Sequence, residues 1–172
     1  MDGASEGNAV HRCMQYIRYE NCGDIASVTQ EIHRMELEGF LTSQQAEVIP
    51  CGKIVNFFQT PLGEKLRSAP EVLREFKFSV LQDANVIDKT LEAEKVLLQG
   101  VVDCALVEED GITVVDFKTD RVTPETVAQR AAFYGPQLQA YADALSRIYE
   151  KPVKETVLYF FHTEQFVPVC TQ

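Results

Sequence analysis

The order of hydrophobic patterns predicts a mixed α/β or α+β fold in one domain. Helical periodicity fills the stretch before Val72, β-branched runs then meet at Glu109-Asp110-Gly111, and a helix and a strand follow. Residues from about Gly7 to Tyr19 read as a helix, with Val10, Met14 and Ile17 on one face. Asp24 reads as the N-cap of a second helix carrying Ile25, Val28, Ile32 and Met35 and ending near Gly39. Shorter helices start at Thr42-Ser43, around Ile54, Phe57 and Phe58, and at Thr60-Pro61, a capping residue followed by proline in the first turn. Val72 to Leu81 reads as a strand, and Lys95 to Glu108 and Ile112 to Thr119 as the arms of a hairpin, because Asp-Gly between two such runs favours a tight turn. Thr123-Pro124 predicts another helix, which Gly135-Pro136 breaks or restarts. Its second piece carries Leu138, Tyr141, Leu145 and Ile148, and Thr156 to His162 is expected as the last strand.

A chain of 172 residues has room for one sizeable core but not for two. With 45% hydrophobic and 24% charged residues the composition is that of a globular protein rather than a disordered one. No apolar run is long enough to cross a bilayer, and MDGASEGNAV lacks the basic and apolar segments of a secretory signal, so a soluble, unexported protein is expected. The cysteines, Cys13, Cys22, Cys51, Cys104 and Cys170, are odd in number and never spaced C-x-x-C. That spacing speaks against a zinc site or a disulfide framework and fits a reducing cytoplasm. The net charge of −10 opposes phosphate contact over the whole surface. The objection weakens if the acids gather around a cation.

Gly100 to Lys118 is the most informative stretch. Alternation along a strand sets Asp116 and Lys118 on one face and Phe117 on the other. A turn at Glu109-Asp110 pairs Glu108 with Gly111 and sets Asp103 opposite Asp116; a turn at Asp110-Gly111 sets Asp103 opposite Lys118. A three-residue loop would set Asp103 opposite Phe117 and require a bulge to restore the cluster. Two carboxylates on an apolar strand pair repel and desolvate one another, and a divalent cation resolves both costs. Magnesium suits such a site, taking one or two carboxylates, several waters and substrate phosphate, with the Phe117 carbonyl as a further ligand. Lys118 would hold or deprotonate the attacking water and offset charge growing on phosphorus. Asp-x-Lys alone is a weak signal: Glu75-Phe76-Lys77 repeats the form, and a cross-strand ion pair with Lys118 is the plain alternative.

Gly100-Val101-Val102-Asp103, the hairpin, and Val115-Asp116-Phe117-Lys118-Thr119-Asp120 together resemble the PD-(D/E)-x-K core of the RecB-like exonucleases, and most closely the AddA-type nuclease domains. The resemblance runs nearly end to end. Gly7 to Arg12 is similar to the opening helix motif, in which a glycine precedes a histidine by four residues. Phe40-Leu41-Thr42, Gln45-Ala46, Phe57-Phe58 and Leu62-Gly63 resemble the helical middle, and Arg74-Glu75 with Phe78 the next strand. Tyr134 to Leu145 resembles the Q-x-x-x-Y helix; Asn8 departs from the threonine common there. The resemblance implies a restriction-endonuclease-like α/β fold: a central mixed sheet flanked by helices, with an N-terminal helical segment. It implies His11, Asp103 and Asp116 as metal ligands for Mg²⁺ or Mn²⁺, and Lys118 as the catalytic lysine. Glu75 matches an acidic position near the site, and Gln137 and Tyr141 would line it and touch DNA or orient ligands. Taken from the residues alone, His11 reads as surface, Tyr141 as core and Gln137 as a first-turn residue. His33 and His162 match no motif, and Glu108, Glu109 and Asp110 read as solvated turn residues.

The implied function is metal-assisted hydrolysis of DNA phosphodiesters. The substrate would be single strands fed by helicase domains of the same parent chain, beside an AddB-like second subunit. One late cysteine, Cys170, is too few for the iron–sulfur cluster of some relatives. No G-x-x-x-x-G-K-[ST] loop is present, so no ATP site is expected in these residues. The chain reads as a piece of a longer helicase–nuclease. A nuclease-like scaffold with an idle site, and a small hydrolase acting on nucleotides, are the competing readings.

Overall fold

The computed structural model describes residues 3–83 and 94–169. Cys170 lies outside the described residues; Cys13, Cys22, Cys51 and Cys104 are free thiols. No described helix is long and apolar enough to cross a membrane.

Five helices precede the sheet: α1 (Gly3–Tyr16), α2 (Ile25–Leu37), α3 (Ser43–Val48), α4 (Cys51–Phe58) and α5 (Pro61–Ser68). Their starts follow local chemistry. The Asp24 carboxylate accepts from Ser27 N, Thr42 and Gln45 form a reciprocal capping box, and Thr60 Oγ1 accepts from Gly63 N ahead of Pro61. The first helix is shorter at its C-terminal end than periodicity predicts. Arg18 is extended and its N–H goes to Glu31 Oε2, so the chain leaves the helix and makes a 3₁₀ turn over Tyr19–Asn21.

The sheet runs β1 (Val72–Asp83), β2 (Lys95–Glu108), β3 (Gly111–Lys118), β4 (Val153–Phe160) and β5 (Gln165–Pro168), in that spatial order. The β1–β2, β2–β3 and β4–β5 pairs are antiparallel and β3–β4 is parallel. The parallel pair needs a long crossover, supplied by α6 (Val127–Tyr149). Glu108 pairs with Gly111, so Glu109-Asp110 is the turn. Lys154 Nζ lies 2.7 Å from Glu108 Oε2 and 2.6 Å from Asp110 Oδ1, so Glu108 is partly covered by a partner, while Glu109 and Asp110 are exposed at the turn as expected.

Three further expectations change. Helix α6 begins at Val127, not at Thr123-Pro124, because Thr123 O accepts from both Thr126 N and Val127 N in a turn ahead of the helix. It also runs through Pro136 without a break. Proline removes one N–H there, while Ala131 before it and Leu138 after it both pack with Leu158 and Phe160, so an interruption would unseat one of them. Strand β4 spans Val153–Phe160 and is not the last, since the short edge strand β5 follows it.

One core lies between the sheet and α1, α2 and α4, with Phe57, Phe58, Phe117 and Tyr159 at its centre. A second lies under α6, where Tyr141 and Leu145 meet Phe78, Val102, Ile112 and Val114. Alternation along β1 and β2 breaks where the two cores meet. Arg74 reaches Ile17 O on the α1 side, yet Phe76 lies tilted against Tyr149 and Phe78 edge-on to Tyr141 on the α6 side. Cys104 belongs to the first core and Val102 to the second. The break falls at Glu75, a non-glycine residue with φ +48° inside a strand, and at the facing Asp103.

Candidate functional site

Register alone aligns three acids across three strands. Arg74–Cys104 and Phe76–Val102 are paired, which sets Glu75 opposite Asp103. The β2–β3 ladder runs from Glu108–Gly111 through Cys104–Val115, so Asp103 is next in line opposite Asp116. This is the first of the three turn geometries the sequence left open. Asp103 is held in place by Phe117 N–H, which donates to its Oδ2 at 2.8 Å.

Helix α1 brings His11 to the same point, its Nδ1 3.5 Å from Asp103 Oδ2. The approach needs a small residue one turn earlier: a Cβ on Gly7 would lie 2.6 Å from Thr119 Oγ1 at the end of β3. One donor atom each from His11, Glu75 and Asp103 lie within 4.8 Å of one another. Asp116 does not join that trio. Its Oδ2 lies 2.6 Å from Lys118 Nζ, so the plain ion pair and the acid cluster coexist. Phe117 turns its ring to the opposite side, edge-on to Phe57.

Lys118 is enclosed. Its Nζ is 3.3 Å from Gln137 Oε1 and 3.8 Å from the centroid of the Tyr134 ring. Gln137 Nε2 donates in turn to Tyr141 Oη at 2.6 Å. Tyr141 therefore packs in the second core and also ends a chain of contacts to the lysine. Gly100 makes room for it, since a Cβ there would meet Phe78 at 2.7 Å and Tyr141 at 3.1 Å. Sequence reasoning assigned no role to Tyr134, Asp120 or Arg130. Tyr134 donates its hydroxyl to Asp120, and Arg130 Nη2 lies 2.6 Å from Asp120 Oδ1. The signal available was weak: Tyr134 precedes Gln137 by three positions, close to the same helix face. His33 and His162 stand away from the trio; His33 approaches Glu36 at 4.0 Å.

Charge in this cluster is incomplete. Burial raises the Asp103 carboxyl to about 8, and the charge of Asp116 adds to the rise. Burial also raises Asp116, against the pull of Lys118, and raises Glu75. Burial lowers His11, favouring the neutral imidazole that binds metals. Carboxyls whose ionised forms burial disfavours, crowded together with one lysine beside them, share one deficiency, a positive charge at their centre. Carboxylate oxygens and an imidazole nitrogen are donors suited to a divalent cation, and the partial exposure of all three leaves a side open for water and phosphate. The residues fit a metal ion.

A family model described as the PD-(D/E)XK nuclease superfamily matches residues 1–168. Over 167 residues the chain is 34% identical to the A subunit of an ATP-dependent helicase/nuclease from Alkaliphilus oremlandii, covering 95% of this chain and 14% of that protein. It is 36% identical over 171 residues to the protein of the same name from Alkaliphilus metalliredigens, covering 97% and 14%. A third, from Carboxydothermus hydrogenoformans, is 36% identical over 170 residues, covering 98% and 15%. The chain thus spans about a seventh of the length of these relatives.

Proposed function

The chain belongs to the PD-(D/E)XK nuclease superfamily, and from that premise we propose that it is a metal-dependent exodeoxyribonuclease module that hydrolyses the phosphodiester bonds of single DNA strands. Its mixed five-stranded sheet with flanking helices is the restriction-endonuclease-like architecture of that family. We assign it to an ATP-dependent helicase–nuclease of double-strand-break repair, in which helicase domains of the same chain and an AddB-like second subunit deliver the strand. The name these relatives share supports that setting.

The observation that carries the reading is the row Glu75–Asp103–Asp116 across three strands, with His11 against Asp103 at its centre and Lys118 against Asp116 at one end. His11, Glu75 and Asp103 would hold the metal, with Asp116 and the Phe117 carbonyl beside them; Mg²⁺, or Mn²⁺ in its place, suits these hard donors. When bound, such an ion polarises a phosphoryl oxygen and lowers the pKa of a coordinated water. The chain's own part is positional. Asp116 and Gln137 fix the ammonium of Lys118, and Tyr141 fixes Gln137. Lys118 is then placed to orient the attacking water and to offset negative charge growing on the phosphoryl oxygens. Phe117 N–H keeps the Asp103 carboxylate turned toward the histidine.

The test is degradation of single-stranded DNA with Mg²⁺, by the chain and by the helicase–nuclease that carries it. Asp116→Ala and Lys118→Ala are each expected to lower the rate by about 10²–10³-fold or more, the usual cost of losing a group that stabilises transition-state charge. Rates within a few-fold of the parent protein in both variants would show that this row is not the reaction centre.

A further inference from the structure

Phe133 is the one aromatic side chain among the exposed large hydrophobic residues described, 69% accessible on α6. It precedes Gln137 by four residues, so both project from one side of the helix. The Arg130 guanidinium carbon lies 5.1 Å from the centre of its ring. Tyr134 meets it edge-on with centroids 5.3 Å apart, and Tyr134 is the ring beneath Lys118. Phe133 is thus separated from the lysine by a single aromatic side chain.

Beside it opens a cleft of about 460 Å³ whose walls include Arg121, Thr126, Gln129 and Arg130. Arg121 also lines a second cleft, of about 290 Å³, together with Lys53, Thr119 and His162. The two clefts therefore flank the segment that leaves β3 directly after Lys118, with Arg121 between them. Arg121 is exposed and meets Glu6 at 3.6 Å, and Lys53 Nζ donates to the carbonyl of His162 at 2.8 Å. Around these clefts Lys53, Arg121 and Arg130 face two acids, Glu6 and Asp120, in a chain whose net charge is −10. The basic side chains outnumber the acids along the segment that follows Lys118.

We propose that Phe133 and Arg121 form a subsite for single-stranded nucleic acid next to the reaction centre, with a base stacked on the Phe133 ring and a backbone phosphate against Arg121. This rests on the nuclease reading above and adds where the strand runs. A flat ring beside guanidinium groups suits an unpaired base of any sequence, because every base has a π-face. A protein partner would cover the ring equally well but gives no account of the cations that continue into the second cleft.

Binding is read from the fluorescence of an oligothymidylate carrying 2-aminopurine, which stacking quenches, using the Lys118→Ala chain so that no cleavage intervenes. Phe133→Ala in that background is expected to weaken binding about 10-fold, within the roughly 5- to 150-fold expected for one stacked base, and to remove the quenching; Phe133→Trp restores both. Arg121→Ala is expected to weaken binding to all sequences alike and to reduce the slope of log affinity against log salt by about one. In the cleaving protein, Phe133→Ala raises KM by a similar factor with kcat nearly unchanged, and a run of abasic residues abolishes the difference between the two. Unchanged binding, quenching and KM in Phe133→Ala overturn the subsite and mark the ring as a protein-facing patch. Stacking by a protein that cleaves no DNA leaves the subsite standing and removes the nuclease reading instead.

Discussion

Two buried acid clusters in this molecule differ in what surrounds them. Glu31, on α2, is 5% exposed and has its oxygens filled: Arg34 Nη2 at 2.8 Å, Asn21 Nδ2 at 2.9 Å and Arg18 N at 3.1 Å. Burial works to raise its pKa, and the hydrogen bonds from Arg34, Asn21 and Arg18 outweigh it, so the carboxyl ends below its usual range. Asp103, Asp116 and Glu75 are displaced the other way. The first cluster supplies its own countercharge and holds the turn between α1 and α2. The second has three acids in line across three strands with one nearby lysine and a neutral-leaning histidine. Burial alone therefore does not mark a functional acid; burial without a complete set of partners does.

The largest effect separates the two directly. Glu31→Ala takes the acceptor from Asn21 Nδ2 and Arg18 N and one acceptor from Arg34, which keeps Glu38 Oε2 and Tyr16 O; the loss of these charge-assisted bonds is expected to cost about 3–5 kcal/mol, a fall in Tm of about 6–20 °C. Cleavage per folded molecule should change little. Asp103→Asn keeps an acceptor for Phe117 N–H and removes a charge that burial opposes. In the metal-free protein at pH 8 it is expected to raise stability by about 1–3 kcal/mol, while cleavage is lost. If thermal unfolding shows equal losses for both variants, the hairpin acids are an ordinary ion network.

Much of the contrast was legible in the sequence. Asp103, Asp116 and Lys118 share a face by alternation, and two-residue turn chemistry limited their registers; Glu108 pairing with Gly111 then selected one. The caps at Asp24, Thr42 and Thr60 were equally local. Other features were not, for physical reasons. Glu31 falls between Val28 and Ile32 on the packed side of α2, but its partners Arg18 and Asn21 come from the preceding turn, into which the expected helix extended as far as Tyr19. Pro136 is a helix breaker on propensity, overruled by packing on both sides of it. Strand β5 is four residues long and too short for a period to register. The inversion at Glu75 was not separable from noise, since VLREFKFSVL alternates only loosely and the adjacent polar pair Arg74-Glu75 suits a change of face no better than a solvated stretch of strand.

A smaller effect follows from adding the missing charge. Asp103 has a pKa raised in the folded protein, so the stability its neutral form contributes is full below the ordinary carboxylate range and is lost as pH climbs toward about 8. The difference in Tm between Asp103→Asn and the parent, measured in chelator, should therefore grow from pH 5 to pH 8. A divalent cation displaces that proton, so binding strengthens over the same interval. At a fixed concentration of about 100 times the Kd at pH 8, Mg²⁺ or Mn²⁺ should stabilise by about 2.7 kcal/mol at that pH, a shift of about 5–11 °C, and the same concentration should give a smaller shift at pH 6. Glu31→Ala should show the same metal shift from its lower starting Tm. No shift at either pH with either ion would identify the site as an idle scaffold.

The smallest effect concerns the backbone that aims the third acid. Glu75 holds φ +48°, a conformation that costs a residue with a Cβ about 1–2 kcal/mol and glycine almost nothing. Glu75→Ala removes the carboxylate and keeps the strained backbone; Glu75→Gly removes the carboxylate and the strain together. Both should abolish or greatly weaken cleavage, because the donor is gone. In chemical denaturation Glu75→Gly should be the more stable of the pair by about 1 kcal/mol, even after the greater flexibility of glycine in the unfolded chain is counted. Glu31 sits on a regular helix turn, so the same pair of substitutions there should rank in the opposite order, alanine above glycine. Equal stability of the two Glu75 variants would mean that the inversion of β1 carries no strain. The left-handed residue would then be a passive consequence of sheet twist rather than a local cost of turning a carboxylate toward His11 and Asp103.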